Sequence, residues 1–174
     1  MGKNFFDGTL ESCGLEIHQG KTRIVYCADS NRKLQHDLME FTFLGYSFHR
    51  RREKNKQTNE IFDGFQPAVS NDALKSMKRV IKNDWRLKSM AHLELADIAA
   101  QFNPVIRGWI NYYGRFCEEA LVPLANHINE RLRLWAAQKY ERLRGNRGLS
   151  YDWLRKAYQS SPKLFAHWEV FRVY

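Results

Sequence analysis

The chain has 174 residues, enough to bury the core of one compact domain or of two small ones. Hydrophobic residues make up 44% of it and aromatic residues 14%, which excludes an intrinsically disordered polymer. The formal net charge is +9 and the pI is about 9.6. Such an excess indicates a polyanionic partner, with nucleic acid as the first choice and an anionic membrane surface as the second.

The cysteines and the apolar runs bear on metal binding and on localisation. The three cysteines, Cys13, Cys27 and Cys117, stand far apart, which argues against a disulfide framework and against a zinc ribbon. Cys13 and His18 have no second ligand pair, so no metal site and no cofactor are expected. No apolar run reaches the ~20 residues that span a bilayer, and no secretory signal is evident. These features predict a cytoplasmic protein without a membrane partner.

The N-terminal third predicts β structure. Residues 23–27 are β-branched and aromatic, which is typical of a strand. Residues 41–48 are the clearest strand of the sequence, and Gly45 indicates a bulge or a close backbone approach within it. A basic stretch, residues 49–56, follows. Residues 61–65 then return as a partner strand, so a hairpin with a long basic tip is expected.

Pro67 is expected to end that hairpin, and the pattern after it is helical. Ser70 or Asn71 caps a first helix. Its buried side carries Leu74, Met77, Val80, Ile81 and Trp85. Its opposite side carries Lys75, Lys78, Arg79, Lys82 and Arg86. A second helix covers about residues 93–102.

Residues 103–116 predict a helical segment that restarts or bends at its first residue. Asn103 can accept from free amide groups as an N-cap, and Pro104 is pre-set for a first turn. Ile106, Trp109, Ile110 and Tyr113 then share an apolar face, whereas Arg107, Asn111 and Arg115 form a polar stripe. Gly108 predicts close packing against the helix, and Gly114 predicts its end.

The remaining segments complete a bundle of three or four helices. A long helix is expected from residue 121 to about residue 143, followed by a basic loop in which Gly145 is the C-cap. Residues 151–158 form a short helix, and residues 161–168 pack aromatic side chains at the end. The expected fold class is α+β, mainly α, with a small N-terminal β-hairpin element before the bundle.

No complete catalytic constellation is evident. Residues 26–29, Tyr-Cys-Ala-Asp, invite comparison with the Tyr-x-Asp-Asp turn of polymerases, but Ser30 stands where the second carboxylate should be. Two-metal chemistry needs at least two convergent carboxylates. The sequence also lacks the Gly-rich phosphate loop and the common hydrolase motifs. We therefore expect no catalytic residue on this chain.

Cationic residues point to nucleic acid instead. The candidate RNA-binding residues are Arg50, Arg51, Arg52, Lys54 and Lys56 of the hairpin, Lys75, Lys78, Arg79 and Lys82 of the first helix, Arg107, Asn111 and Arg115 of the polar stripe, and Arg142, Arg144 and Arg147 of the late loop. Nearby aromatic residues are candidates to stack on unpaired bases, although most of them are expected to belong to the core, namely Trp85, Tyr112, Tyr113 and Tyr140. Folded RNA offers both phosphates and splayed bases. Duplex DNA would meet a compact recognition helix, and none is evident.

Four segments, in order, resemble the C-terminal part of the reverse transcriptases, or maturases, that group II introns encode. Residues 14–27, Gly-Leu-Glu-Ile-His-Gln-Gly-Lys-Thr-Arg-Ile-Val-Tyr-Cys, are similar to the strand–turn–strand after the catalytic turn of that family. Phe43, Leu44, Gly45 and Tyr46 resemble its primer-grip-like strand. Residues 103–114 resemble the hallmark of the maturase-specific, or X, domain, and residues 165–168, Phe-Ala-His-Trp, resemble a segment near its end.

The resemblance implies a palm remnant in residues 1–67 and a thumb-like maturase-specific helical domain in residues 68–174. Such a module binds structured intron RNA, assists its splicing, and grips the RNA/DNA template–primer duplex during reverse transcription. The family's polymerase carboxylates lie upstream, so an upstream palm fragment is a further expected partner. Lys21, by its position in the family's motif, would be an accessory residue in nucleotidyl transfer.

Two alternatives stay open beside the RNA-binding module. The chain could act as the thumb part of a split or truncated RNA-directed DNA polymerase, which would extend a primer only together with a palm. It could also be a relic that folds without binding RNA, its basic faces serving solubility alone.

Overall fold

A small antiparallel sheet precedes a helical bundle in the computed structural model, which describes residues 13–16, 18, 20–32, 34–55 and 57–173. The strands are β1 (Phe41–Phe43), β2 (Tyr46–Lys54) and β3 (Ile61–Val69). The α-helices are α1 (Asn71–Asn83), α2 (Leu95–Tyr113), α3 (Val122–Lys139), α4 (Arg147–Ser160) and α5 (Ala166–Val170). Short 3₁₀ turns cover Leu87–Met90, Glu118–Leu121 and Glu141–Leu143. The predicted fold class, α+β and mainly α, is confirmed.

The predicted single strand over residues 41–48 is two strands joined by a tight turn. Leu44 and Gly45 both have positive φ, 50° and 79°, and Phe43 pairs with Tyr46 across them. Two left-handed central residues make the mirror-image turn that matches the twist of a hairpin. Gly45 therefore marks a two-residue hairpin turn and no bulge. The alternative prediction, a close approach of its backbone, is confirmed, because a Cβ there would lie 2.8 Å from the Tyr113 hydroxyl.

The second hairpin is longer than the sequence suggested. β2 and β3 pair from Tyr46 with Val69 to Lys54 with Ile61, so β3 continues through Pro67. The sheet order is β1–β2–β3, which makes β3 an edge strand. An edge strand tolerates a proline because one of its sides makes no ladder hydrogen bonds. The prediction that Pro67 ends the hairpin is therefore wrong.

The predicted strand over residues 23–27 is also wrong, since residues 20–32 form no strand. Isolated hydrogen bonds hold this segment instead: Tyr26 N–H donates to Leu38 O at 2.9 Å, and Ser30 N–H donates to Asp63 O at 3.0 Å. Single bonds to separate partners do not build a ladder. Residues 1–12, and positions 17 and 19 of the family-like segment, lie outside the described residues.

Helix α1 begins as predicted. Ser70 is its N-cap, and its hydroxyl oxygen accepts from Ala73 N–H at 3.2 Å. Met77 and Ile81 are buried on the side facing the core. Trp85 is buried too, although it lies beyond the helical residues.

Helix α2 corrects the prediction of a restart at Asn103. It runs unbroken from Leu95 to Tyr113 with Pro104 inside it, and it ends at Gly114 as predicted. An interior proline removes one helical hydrogen bond, so tertiary contacts must sustain the helix here. Asn103 supplies such contacts, because its buried side chain bonds the chain near residue 165 instead of capping α2. Gly108 has open space around it, so the predicted close packing is wrong.

Helix α3 is the centre of the bundle and packs against α1 and α4. Ile128, Leu132 and Trp135 are almost fully buried along it, and the indole N–H of Trp135 donates to Met90 O at 2.9 Å. The helix ends at Lys139, earlier than predicted, and a 3₁₀ turn follows. Gly145, with φ of 73°, lies in the turn before α4 and caps no α-helix.

Helix α4 is longer at both ends than the predicted residues 151–158, and the C-terminal aromatic packing is confirmed. Phe165 and Trp168 are nearly fully buried in the core that α2 and α3 share. Asn129 of α3 accepts from the indole N–H of Trp168 at 2.8 Å and contacts His167 Nε2 at the same distance. The helical part thus closes on itself through its last segment.

Candidate nucleic-acid interface

Strand β2 places the cations of the hairpin on two faces. Side chains alternate along a strand, so Arg50, Arg52 and Lys54 share one face. Arg50 forms an ion pair with Asp63 of β3. Arg52 and Lys54 are exposed and enter no ion pair within the described part of the chain. These two are therefore the hairpin cations most available to a ligand.

Arg51 lies on the opposite face and is occupied by the sheet. Its guanidinium donates to Ser47 Oγ at 2.9 Å and to Gln66 O at 3.3 Å, and the side chain is half-buried. Lys56, at the hairpin tip, lies outside the described residues.

Aromatic rings share the face of Arg52 and Lys54. Phe41 and Phe48 stack with ring centroids 4.5 Å apart, and Phe65 stacks on Phe41 at 6.2 Å. Phe65 pairs with Arg50 across the sheet, so the rings continue directly into the cationic end of the strand. Apolar π surface and positive charge beside each other suit stacked, unpaired bases.

Helix α1 carries the basic stripe that its spacing predicted. Lys75, Arg79 and Lys82 are exposed, and Lys78 is half-buried. Lys75 lies 3.5 Å from Asp72, but both side chains are largely exposed. An ion pair of that kind contributes little, so the stripe keeps its positive character.

Each end of the α1 stripe opens into a depression that a second element also lines. At the N-terminal end, a cleft of about 560 Å³ is lined by Lys75 and by the hairpin residues His49 and Arg51, and also by the acidic residues Glu40 and Asp72. At the C-terminal end, a cavity of about 330 Å³ is lined by four cationic residues, Lys82, Arg86, Lys88 and Arg131. The structure therefore brings the hairpin and α1 groups together at one end of the helix.

The polar stripe of α2 is present but separate. Arg107, Asn111 and Arg115 are all exposed. Arg107 lies 3.8 Å from Glu169 of α5, and both side chains are open to solvent. Neither depression beside α1 has a residue of this stripe in its lining.

The late loop, residues 142–148, presents Arg142, Arg144 and Arg147 to solvent, as predicted. Arg147 lies over the ring of Tyr151, 5.5 Å from its centroid, and its hydrogen bond to the Tyr151 hydroxyl raises its pKa. Tyr151 in turn donates to Glu130 at 2.9 Å. This edge of the loop is therefore held by α3, whereas Arg142 and Arg144 enter no ion pair with another described residue.

Three of the four aromatic residues proposed for base stacking belong to the structure itself. Trp85 is only 4% exposed and stacks on Phe102 with centroids 4.2 Å apart. Tyr113 and Tyr140 are half-buried against the core. Tyr112 is exposed, and its hydroxyl donates to Leu44 O at 3.1 Å.

The primer-grip-like residues 43–46 are anchored on α2, the helix that contains the hallmark residues and is called the hallmark helix below. The Tyr46 hydroxyl donates to the backbone carbonyl of Tyr112, and the Tyr46 ring packs against those of Tyr112, Tyr113 and Phe116. A Cβ on Gly45 would lie 2.8 Å from the Tyr113 hydroxyl, so only glycine fits there. Phe43 and Leu44, by contrast, are largely exposed. Two family-like motifs far apart in sequence therefore pack against each other.

The polymerase-like turn is arranged around a single carboxylate. Asp29 accepts from the guanidinium of Arg32 and from the backbone N–H groups of Asn31 and Arg32 at 2.9 and 2.8 Å. These bonds, first of all that with the Arg32 side chain, lower the pKa of Asp29 to about 2. Lys21 is exposed in the turn that its N–H closes onto His18 O at 3.0 Å. Within the described residues, no group of three or more His, Cys, Asp or Glu side chains is placed to hold a metal.

The sequence-based set of binding candidates omitted Arg86, Lys88 and Arg131, which line the cavity at the end of α1. Arg131 follows the apolar residue Ile128 by three positions on α3, so it sits at the margin of the buried stripe. A cation at such a margin is the sequence signal that could have identified it.

No helix within the described ranges is long and apolar enough to cross a membrane.

Comparison with protein families matches the model described as "Group II intron, maturase-specific domain" to residues 74–163, more than half of the chain. In the comparisons with curated proteins and with solved structures, no match to the chain was found. The matched range runs from within α1 through α4, and so contains the α1 basic stripe, helix α2 and the late loop. The family's role is in the splicing of group II introns, which entails interaction with intron RNA. The chain belongs to the family defined by the group II intron maturase-specific domain.

Proposed function

We propose that the chain binds structured group II intron RNA directly and thereby assists splicing, with no polymerase active site of its own. The observation that carries this proposal is the α1 stripe, whose exposed cations continue at the C-terminal end of the helix into a cavity lined by Arg86, Lys88 and Arg131. A phosphate backbone that follows α1 would stay close to positive charge over the length of the helix. Such contacts dominate the affinity of most nucleic-acid complexes.

The hairpin supplies the second part of the proposed interface. Arg52 and Lys54 are free to contact phosphate, and the Phe41–Phe48 stack beside them suits bases that a folded RNA leaves unpaired. Arg50 and Arg51 would instead hold the strand pair in shape, because each is engaged by a sheet neighbour. The α2 stripe and the late loop would contact other parts of the same RNA.

The hydrogen bonds that Asp29 accepts support the absence of polymerase chemistry. Its carboxylate already accepts from Arg32 and from two backbone N–H groups, and its neighbour is a serine. A catalytic carboxylate has to leave lone pairs free for two metal ions. The splicing chemistry then belongs to the RNA, and the protein stabilises the fold in which that chemistry occurs.

Filter binding across a salt series tests this function. The chain should bind a structured group II intron RNA at low salt, with log K falling by about 0.7 to 0.9 for each phosphate contact per log unit of salt. An unstructured RNA of equal length should bind more weakly, because it presents no preformed phosphate array. No binding at low salt, or a salt slope near zero, would contradict this function and is the result expected if the basic faces serve solubility.

A second candidate function rests on the packing of Gly45 and Tyr46 against helix α2. This packing fixes the exposed Phe43 and Leu44 on the end of the hallmark helix, where a template–primer duplex could lie along them. The chain would then be the thumb of a split RNA-directed DNA polymerase, residues 1–67 would be a palm remnant, and Lys21 would assist an added palm. Primer extension should require an upstream palm fragment, and extension by the chain alone would contradict this role.

A further inference from the structure

The cavity at the C-terminal end of α1 gathers cations from three elements around an apolar base. Lys82 comes from α1, Arg86 and Lys88 from the turn after it, and Arg131 from α3. Ile81 and Leu134 supply apolar wall. The volume of about 330 Å³ admits a phosphate group together with parts of its flanking sugars.

These four cations are not neutralised within the described part of the chain. No Asp or Glu is among the described residues that line the cavity, and none of the four enters an ion pair there. Arg133 of the same helix α3 shows the usual arrangement, since Glu130 holds its guanidinium with two hydrogen bonds. Like charges gathered without a counter-ion repel one another, which destabilises the empty site.

Arg131 adds an unsatisfied donor to this arrangement. Its Nε is buried and has no hydrogen-bond partner among the described residues. Buried N–H groups nearly always have partners, and an exception calls for an explanation such as an absent ligand. A negatively charged group in the cavity would compensate the four cations. It would reach the Nε of Arg131 only if that side chain turned, because Nε is closed to solvent here.

The neighbouring His127 registers the same positive field. Burial lowers its pKa first of all, and the charges of Arg131 and Lys78 lower it further. Its Nε2 is also buried without a partner among the described residues. Arg131 and Lys78 thus add positive potential between α1 and α3.

The backbone at Arg86 is in the left-handed region, with φ of 44° and ψ of 37°. A side chain is unfavourable there, and glycine would adopt the same angles without strain. Strained residues that persist are concentrated at functional sites. The Arg86 side chain thus lines the cavity from a left-handed backbone position.

We propose that this cavity is a binding site for one phosphate group, held by Arg86 and Arg131 with Lys82 and Lys88 adding charge. Arginine presents paired N–H donors that match the oxygens of an oxyanion, which favours phosphate over a halide. In the intron complex the phosphate is a phosphodiester of the RNA backbone, and that source rests on the proposed function. The site itself does not, because inorganic phosphate offers the same chemistry.

Thermal unfolding of the full chain with inorganic phosphate tests the site. Phosphate should raise the Tm of the wild type above that in chloride at equal ionic strength, because a ligand of the folded state stabilises it. Arg131→Gln should lose this increase. Lys156→Gln, which removes an equal charge from an exposed position on α4, should keep it. Equal increases in all three proteins would overturn the proposal.

Arg86→Gly separates ligand binding from folding. It removes the guanidinium and relieves the left-handed backbone, so the variant should have a higher Tm than the wild type in chloride and a smaller response to phosphate. A merely destabilised protein cannot give this combination. An unchanged phosphate response would remove Arg86 from the site and overturn the proposed arrangement.

RNA binding then identifies the source of the phosphate. Arg131→Gln should weaken the affinity for intron RNA about tenfold relative to Lys156→Gln, the reduction typical of removing one charged hydrogen bond. Equal affinities of the two variants would overturn the assignment to the RNA backbone. If the wild type binds no RNA, the proposed function fails, while the phosphate measurements still decide whether the cavity is a site.

Discussion

The side-chain oxygen of Asn103, in the middle of α2, accepts a hydrogen bond of 2.8 Å from the backbone N–H of Ala166 at the start of α5. The amide nitrogen of the same side chain donates to Leu164 O at 2.9 Å. Asn103 and Ala166 are buried, so the N–H of Ala166 has no access to water if the side chain is removed, whereas Leu164 is half-buried. One residue thus joins the hallmark helix to the terminal segment.

Replacing Asn103 should therefore destabilise the fold more than its size suggests. Asn103→Ala leaves the buried N–H of Ala166 unsatisfied and removes the bond to the half-buried Leu164 carbonyl, so we expect the free energy of unfolding to fall by about 1 to 3 kcal/mol. Asn111→Ala, on the exposed side of the same helix, should change it by less than about 0.5 kcal/mol. Urea denaturation of both variants measures the difference, and similar midpoints would show that the Asn103 bonds are dispensable.

The same residue shows how far sequence patterns reach. Apolar spacing identified the helices and their buried faces, because burial of one side is a local periodicity. Asn103 next to Pro104 has the local signature of a helix start, but its role is set by groups more than sixty positions away. No local pattern contains that information. The true length of α2 could therefore not be predicted from the residues around Asn103.

The candidate interface was predictable to a similar extent. Exposure of the basic stripe on α1 follows from helical spacing alone. Which cations are available does not, since Asp63 engages Arg50 and the sheet backbone engages Arg51 only once β2 and β3 are in register. The cavity with Lys88 and Arg131 likewise depends on how α1 packs against α3.

Gly45 should tolerate no side chain. Gly45→Ala places a Cβ at a φ of 79° and within 2.8 Å of the Tyr113 hydroxyl. The left-handed conformation alone costs about 1 to 2 kcal/mol, and moving Tyr113 adds to it. We expect a lower Tm together with changed tyrosine fluorescence or near-UV circular dichroism. Full wild-type stability would show that the turn is not held against α2.

Gly108→Ala should have the opposite sign. Gly108 lies within α2 with nothing within 4 Å of where a Cβ would be, so alanine meets no clash. The higher helix propensity of alanine should stabilise the protein by about 0.5 to 1 kcal/mol. Chemical denaturation measures this gain. A decrease in stability would mean that another surface packs against the helix at this point.

His167 is held in one tautomer by its neighbours. The indole N–H of Trp168 can only donate, so the Asn129 atom that it faces is the carbonyl oxygen. That oxygen also faces His167 Nε2, which must therefore carry the proton and donate. The Nδ1 atom is buried without a partner among the described residues, and burial lowers the pKa of His167 to about 3.

This low pKa makes stability depend on pH. In the unfolded chain the imidazole binds a proton near its ordinary pKa of about 6.5, whereas the folded protein keeps it neutral, so stability falls as the pH decreases. Between about pH 7 and pH 5, His167 should lower the free energy of unfolding by about 2 kcal/mol. His167→Gln should flatten the pH dependence of the unfolding free energy over this range, whatever its effect on stability itself. Parallel curves for the two proteins would contradict the assignment.

The hairpin cations that are exposed and unpaired should contribute most to RNA affinity. Arg52 and Lys54 are exposed and enter no ion pair with another described residue, so both should neutralise phosphate. In the double variant Arg52→Gln with Lys54→Gln, the slope of log K against log salt should become shallower by about one for each phosphate that is no longer neutralised. The change should be similar for different RNA sequences, because phosphate carries no sequence information.

The matched control removes two charges from positions away from the hairpin, Lys156→Gln with Lys163→Gln, both exposed. If long-range charge alone attracts the RNA, both double variants lose affinity equally, because each lowers the net charge by two. If the hairpin contacts phosphate, only the first changes the slope. The comparison of the two slopes in filter binding thus separates a specific contact on β2 from the general attraction of a basic protein for RNA.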